Sequence, residues 1–239
     1  MYELFPQNVR LLSTERYIDG GKSLGDFENF NLALHVNDSI EAVKSNRLLL
    51  SGCFNLPSNP KWINQTHSSI CVNASSIDSI VEADASYTSV SGTICGVLTA
   101  DCLPVFISKK DGSMVGVAHA GWRGLLSGVI ENLIEVFNCK GSNLVVHLGP
   151  AISMNYFEVG EEIQDLYLSK NINFLRSFSL LNNKYYLDLY DAARVILEGY
   201  KISSISGGNR CTFKEVEYFF SYRRDGVSSG RMAHLIWMK

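Results

Sequence analysis

Two residue types in this chain have a placement that suggests chemistry. There are six Cys and five His. Cys53, Cys71, Cys95, Cys102, Cys139 and Cys211 are scattered, with no Cys-x-x-Cys. That spacing argues against a zinc ribbon or a thioredoxin-type redox motif. One Cys has a partner in prospect. Residues 103–107 and 114–118 are apolar, β-prone runs, and Lys109-Lys110-Asp111-Gly112 between them is a turn signal. A turn at those four residues makes Ser108 face Ser113. Stepping outwards one residue per strand then brings Cys102 opposite His119. Directly opposed residues have Cβ atoms about 4.5–5.5 Å apart. That suits two ligands of one metal, or a thiol and its base. The alternative is a buried thiol beside a core histidine with ordinary hydrogen bonds.

A metal needs a third ligand, and His35, His67, His147 and His234 are the candidates. His67 lies in a polar loop, Asn64-Gln65-Thr66-His67-Ser68-Ser69, where a histidine is more often functional. His147 sits in VVHLGP, His35 follows LAL, and His234 lies near the C-terminus. These three read more readily as structural.

The elements that must position these residues come from apolar periodicity. Strands are expected at residues 9–12, 70–72, 94–98, 103–107, 114–118, 143–148 and 217–222. Asp38 is expected to cap a helix carrying Ile40, Val43 and Leu48, with Asn46 and Arg47 near its end. Leu125, Leu126, Val129, Leu133, Ile134 and Phe137 predict one helix after Gly121. Further helices are expected at 161–168 and 189–197. Residues 181–184 and 203–209 read as loops, too short for domain linkers. One domain spanning 1–239 is the expectation, and the mixture of hairpins and helices favours α+β.

Composition narrows the class. The chain has 239 residues, 46% hydrophobic and 19% charged, with a net charge of −3. It is long enough to bury a core without disulfide staples. No basic excess points to nucleic acid. No secretory signal pattern or apolar stretch of membrane-spanning length is visible. A cytoplasmic protein with reduced cysteines is expected, and nothing suggests an obligate protein partner.

The residues around this pair resemble a known family. The segments are NLALHVND with Asn46-Arg47 downstream, NQTHSS, TADCLPV, AHAGWRG, LGPAIS with FEVG, and FFSYRRDG with GRMAHLIW. They cover nearly the whole chain in order. They resemble the YfiH-type laccase-domain family, formerly called multicopper polyphenol oxidases and now associated with purine nucleoside phosphorylase and adenosine deaminase activity. The resemblance implies an α+β fold of two mixed β-sheets packed together with flanking helices. It also implies His67, Cys102 and His119 as the metal ligands. Thr14-Glu15-Arg16 stands where the family has Thr-Thr-Arg, and Ser68 stands where Gly is common.

Two His and one Cys leave a fourth position open, as in catalytic zinc sites. Zinc would bring its bound water towards a pKa of about 7. Attack on C6 of adenosine would then expel ammonia, with Asp101 or Glu158 carrying the proton. Phosphorolysis needs donors for phosphate. Arg123 is favoured because AGWRG places it near a helix start. Arg16, Arg47, Arg223 and Arg231 are weaker candidates. Trp122, Phe219 and Tyr222 are the aromatics that could stack on a purine. The expected function is therefore a zinc-dependent purine nucleoside phosphorylase acting on adenosine, inosine, guanosine or methylthioadenosine, with adenosine deaminase activity. Three alternatives stay open. Copper also accepts His₂Cys, although a laccase cluster needs His-x-His pairs and the chain has none. Cys102 and His119 could instead be the nucleophile and base of a hydrolase. The site could also bind metal without turnover.

Overall fold

The computed structural model describes residues 4–239. In chain order the first elements are β1 (Val9–Ser13), α1 (Ile40–Cys53), β2 (Cys71–Asn73), β3 (Ala85–Thr88), β4 (Cys95–Thr99), β5 (Leu103–Lys109) and β6 (Val115–Ala120). There follow α2 (Trp122–Ser127), α3 (Val129–Val136), β7 (Leu144–Leu148), β8 (Glu158–Val159), α4 (Glu161–Lys170), β9 (Phe178–Leu181) and β10 (Lys184–Leu187). The last are α5 (Leu189–Gly199), β11 (Ile205–Gly207), α6 (Tyr222–Asp225) and β12 (Met232–Met238).

Two sheets pack face to face. The larger has the order β11-β7-β5-β6-β3-β2 and is mixed, since β11 runs parallel to β7 and β2 parallel to β3. The smaller, β1-β12-β4, is antiparallel. A small antiparallel ribbon, β8-β10-β9, lies apart from them. The alternation of side chains along each strand explains the layers. Phe106, Val115, Val117 and Val145 meet Val9, Leu11, Val97 and Ile236 between the sheets. Leu103, Val105, Ile107 and Ala118 face the other way, against Leu125, Leu133 and Leu197 of the helices. Leu98, Leu235 and Trp237 turn outwards from the small sheet towards Leu50 of α1. Each fully buried Leu, Val or Phe contributes about 1.5–3 kcal/mol through removal from water. The α+β expectation of packed sheets with helices outside holds.

Several local expectations are corrected. Ser39, not Asp38, caps α1, its hydroxyl accepting from the Ala42 amide at 3.3 Å. The Asp38 carboxylate is taken instead by Ser23 and Asn31. Asn46 and Arg47 sit mid-helix, because α1 continues to Cys53. The helix expected after Gly121 is two helices, broken at Gly128, whose φ of +94° a side chain would resist. Residues 217–222 form turns leading into α6, not a strand. The strand of this region is β12, and β11 lies inside the segment read as a loop.

His147 and His234 lie at the sheet interface and are structural. His234 shares hydrogen bonds with Thr99 Oγ1 at 2.8 Å and Ser13 Oγ at 2.9 Å, linking the three strands of the small sheet. His147 Nδ1 lies 3.0 Å from Ser206 Oγ. Burial pushes His234 down to about 3 and His147 to about 4. Both stay neutral in the folded state at pH values where the unfolded chain, at about 6.5, takes up protons. Their stabilising contribution is therefore whole above pH 6.5 and is lost as pH falls towards 4. Between those limits each adds a slope approaching about 1.4 kcal/mol per pH unit. Urea melts across this range should show a shallower slope in His234→Leu than in the wild type. Equal slopes would remove His234 from the account.

Candidate metal centre

The hairpin joins β5 to β6, but its register differs from the expectation by two residues. The closing bond runs from the Lys109 amide to the Met114 carbonyl, so the four-residue turn is 110–113, one position later than expected. Ser108 pairs with Val115, and His119 lies opposite Pro104 rather than Cys102. One step beyond the last pair, Cys102 lies opposite Gly121. A two-residue shift preserves parity, so Cys102 and His119 still share the inter-sheet face and become diagonal neighbours. The residue facing Cys102 must be small. A Cβ on Gly121 would stand 2.9 Å from Cys102 Sγ and 3.0 Å from His67 Cδ2.

Cys102 stands where the chain leaves β4 in one sheet and enters β5 in the other. Asp101 makes that corner with φ +88°, a left-handed conformation. His67 also has positive φ, +60°. Such conformations cost of order 1–3 kcal/mol and persist where surrounding bonds impose them. For His67 the imposing group is Asp84. The Asp84 carboxylate is fully buried. Its oxygens accept from the amides of Thr66 (3.2 Å), His67 (3.1 Å) and Ser68, and from the Ser68 hydroxyl at 2.7 Å. Oδ1 also meets His119 Nδ1 at 2.7 Å. One carboxylate thus folds the His67 loop and orients His119, leaving Nε2 of His119 to face the site.

His67, Cys102 and His119 come together. Their candidate ligand atoms lie within 4.8 Å of one another, and Cys102 Sγ is 3.9 Å from His67 Nε2. The two imidazoles meet edge to face with centroids 4.8 Å apart. Metal bonds of about 2.0–2.3 Å place tetrahedral ligand atoms roughly 3.5 Å apart. The set is therefore a tetrahedral face opened by about an ångström, and its donors fit zinc or copper. Burial opposes ionisation of Cys102, yet the charge on His119 and hydrogen bonds from both imidazoles bring the thiol well below its ordinary value. Burial likewise opposes the charge on His119, but the Cys102 thiolate and Asp84 raise it. The site favours a thiolate, the form a metal requires. Burial also works against Asp84, whose carboxyl is nonetheless held low by His119 and Ser68.

These residues open on a cavity of about 510 Å³, a size that suits a small organic ligand. Its wall includes Asp101, Trp122, Arg123, Phe157, Tyr222, Arg223 and Arg231. Arg123 lies over its neighbour Trp122 at 4.3 Å and forms no ion pair among the described residues. Arg223 spends its guanidinium on the carbonyls of Tyr156 and Glu158. Asp101 accepts from Thr212 Oγ1 and from the Arg223 amide, both at 2.6 Å.

Other candidates are elsewhere. The Glu158 carboxylate pairs with Lys184 at 2.8 Å on the surface. Arg16 lies over Phe220 and Tyr17. Arg47 donates to the Leu32 carbonyl and lies over Trp62. Phe219 packs under Arg210. None of these four is in the cavity wall. Sequence reasoning missed Asp84, whose signal was an acidic residue between two alanines in a strand-prone run. It also ranked His35 as structural, whereas His35 lines the cavity.

Fold and site together define an α+β protein with a candidate metal centre at the crossover between two packed sheets. Residues 10–239 match the family described as multi-copper polyphenol oxidoreductase laccase, and the chain belongs to that family. It is similar to the purine nucleoside phosphorylase YfiH of Escherichia coli K12, 40% identical over 234 residues, covering 98% of this chain and 95% of the relative. A purine nucleoside phosphorylase of Haemophilus influenzae is 40% identical over 237 residues, covering 98% and 96%. A crystal structure of a Neisseria meningitidis protein superposes with a TM-score of 0.92 at 40% identity, covering 98% and 96% of the two chains. YlmD of Geobacillus stearothermophilus superposes with 0.86 at 26% identity, covering 98% and 93%. Among the described residues no helix is long and apolar enough to cross a membrane.

Proposed function

We propose that this chain is a zinc-dependent purine nucleoside phosphorylase with adenosine deaminase activity. One observation carries the reading: a His₂Cys donor set opens on a cavity whose arginines have no carboxylate ion-pair partner among the described residues. The names of the relatives from E. coli and H. influenzae support it.

His67, Cys102 and His119 hold the metal in this reading. Zinc, when bound, supplies Lewis acidity and lowers the pKa of a water. Asp84 fixes the His119 tautomer and the His67 loop. Arg123 offers guanidinium donors to phosphate, and Trp122, Phe157 and Tyr222 offer faces to the purine. In phosphorolysis an oxygen of HPO₄²⁻ forms the bond to C1′. The C1′–N9 bond breaks with its electron pair going to the purine, and the proton carried by phosphate ends on the base. Asp101 is assigned proton transfer in deamination, because a carboxylate with two accepted hydrogen bonds retains lone pairs for a third.

The test is a metal-quantified panel of adenosine, inosine, guanosine and methylthioadenosine, with and without phosphate. Free base and ribose 1-phosphate (or its methylthio analogue) should form only with phosphate, and activity should follow zinc rather than copper content. No phosphate-dependent base release from any of the four by metal-loaded protein would sink the reading. Turnover that survives chelation but not alkylation of Cys102 would replace the metal by a thiolate nucleophile.

A further inference from the structure

His35 is presented to the cavity by a segment with little regular structure of its own. Residues 30–38 are fixed instead by a buried polar network. Asn46, mid-way along α1 and fully buried, donates Nδ2 to the carbonyl of Asn31 at 2.9 Å, to that of Asn29 at 3.1 Å and to Ser23 Oγ at 3.0 Å. Asn31, also fully buried, donates to Asp38 Oδ2 at 2.8 Å. Arg47 Nε donates to the Leu32 carbonyl at 2.9 Å. A satisfied network of this kind specifies one conformation, because any alternative leaves buried polar groups unpaired. Phe30, Leu32 and Ala33 pack into the core beside it, while His35 lines the cavity.

The same network holds Arg231. Its amide donates to Asn31 Oδ1 at 3.0 Å, and its carbonyl accepts from the Leu32 amide at 3.3 Å. Its Nη1 donates to the carbonyls of Ser229 at 2.6 Å and Gly230 at 2.9 Å. The guanidinium lies over the Tyr222 ring at 5.5 Å. These anchors leave Nε and Nη2 without a protein acceptor among the described residues, and no carboxylate forms an ion pair with the group. The His35 side chain likewise has no hydrogen bond among them. Both line the same cavity as the metal donors. Burial, followed by the positive charges of Arg231, Arg47 and His119, holds the His35 imidazole below its ordinary value. Idle donors of both groups therefore face one cavity.

We propose that Arg231 and His35 form a phosphate subsite of the cavity, with Arg123 as a further arm. The proposal rests on the phosphorylase reading above. Arg231 is pre-positioned by side-chain and backbone bonds, so little freedom is lost when it grips an anion. Arg123 has no hydrogen bond holding its guanidinium among the described residues, whereas the backbone and Nη1 of Arg231 are held. Arg223 is already committed to carbonyls. The subsite gives the Asn31–Asp38–Asn46 network a purpose beyond folding, since it sets both donors at once.

The test is isothermal titration of inorganic phosphate, and separately of inosine, into zinc-loaded wild type, His35→Leu and Arg231→Met. Loss of one hydrogen bond to a charged group should weaken phosphate binding by about tenfold in His35→Leu. The loss should be larger in Arg231→Met, and inosine affinity should hold in both. In turnover the KM for phosphate should rise while the KM for inosine stays. Phosphate affinity unchanged in His35→Leu overturns the proposal. That variant loses no protein hydrogen bond, so it remains decisive if Arg231→Met fails to fold. Wild type that binds phosphate through these residues yet releases no base would sink the phosphorylase reading and leave the subsite standing.

Discussion

Cys102→Ala should leave a folded protein that binds almost no zinc and has lost phosphorolysis and deamination together. The expected fall in kcat/KM is on the order of 10³-fold or more, since metal charge stabilisation supplies several kcal/mol at the transition state. The fold should survive for a physical reason. Cys102 is only half-buried and sits at a sheet crossover, where its Sγ contacts the imidazoles of His67 and His119 rather than the apolar core. Removing it deletes a donor and opens little hydrophobic cavity. Zinc analysis, steady-state kinetics and a thermal melt on one preparation make the comparison. Full activity with no bound metal would sink the metal-centred mechanism. Retained zinc with lost activity would shift Cys102 from ligand to nucleophile.

Asp84 is the second position where a large effect is expected, and here stability and metal binding part company. Asp84→Ala removes the acceptor of three amides, one hydroxyl and the His119 ring. Several of these donors are then left buried without partners. Each costs about 1–3 kcal/mol, and breaking a buried charged pair costs about 3–5 kcal/mol. A destabilisation of about 3–5 kcal/mol is expected in urea melts. Asp84→Asn keeps the shape and part of the acceptor capacity. It should fold, with zinc affinity lower by about 10–100-fold because the His119 orientation is no longer fixed. Unchanged zinc affinity in Asp84→Asn would mean that His67 and His119 are positioned without it.

Much of the site was legible because its donors sit at motif positions, and those motifs run in order through the chain. The hairpin argument paired Cys102 with His119 and had the wrong register, yet survived, because a slip of two residues leaves each side chain on the same face. A slip of one would have separated them. Asp84 was hidden for the opposite reason. It acts across 16 to 35 residues of sequence, on a loop before it and a strand after it. No local pattern records such a contact. Arg16, Arg47 and Glu158 show the converse: their types suited the chemistry, and packing took them to other tasks.

Local periodicity alone fixed the central strands, the helices at α4 and α5, and which faces of β5 and β6 are apolar, since side-chain direction depends only on residue spacing. The six Cys and five His, without His-x-His, likewise limited the metal chemistry before any coordinates. Tertiary structure decided the rest. It placed β4 and β5 in different sheets, so that residues 100–102 became the corner between the two sheets. It carried β12 between β1 and β4 and put Arg231 at its start, beside the cavity. It set His35 on a loop held by Asn46 of α1. These outcomes depend on hydrogen bonds and packing between segments far apart in sequence. Their cost and gain exist only once the chain has closed on itself.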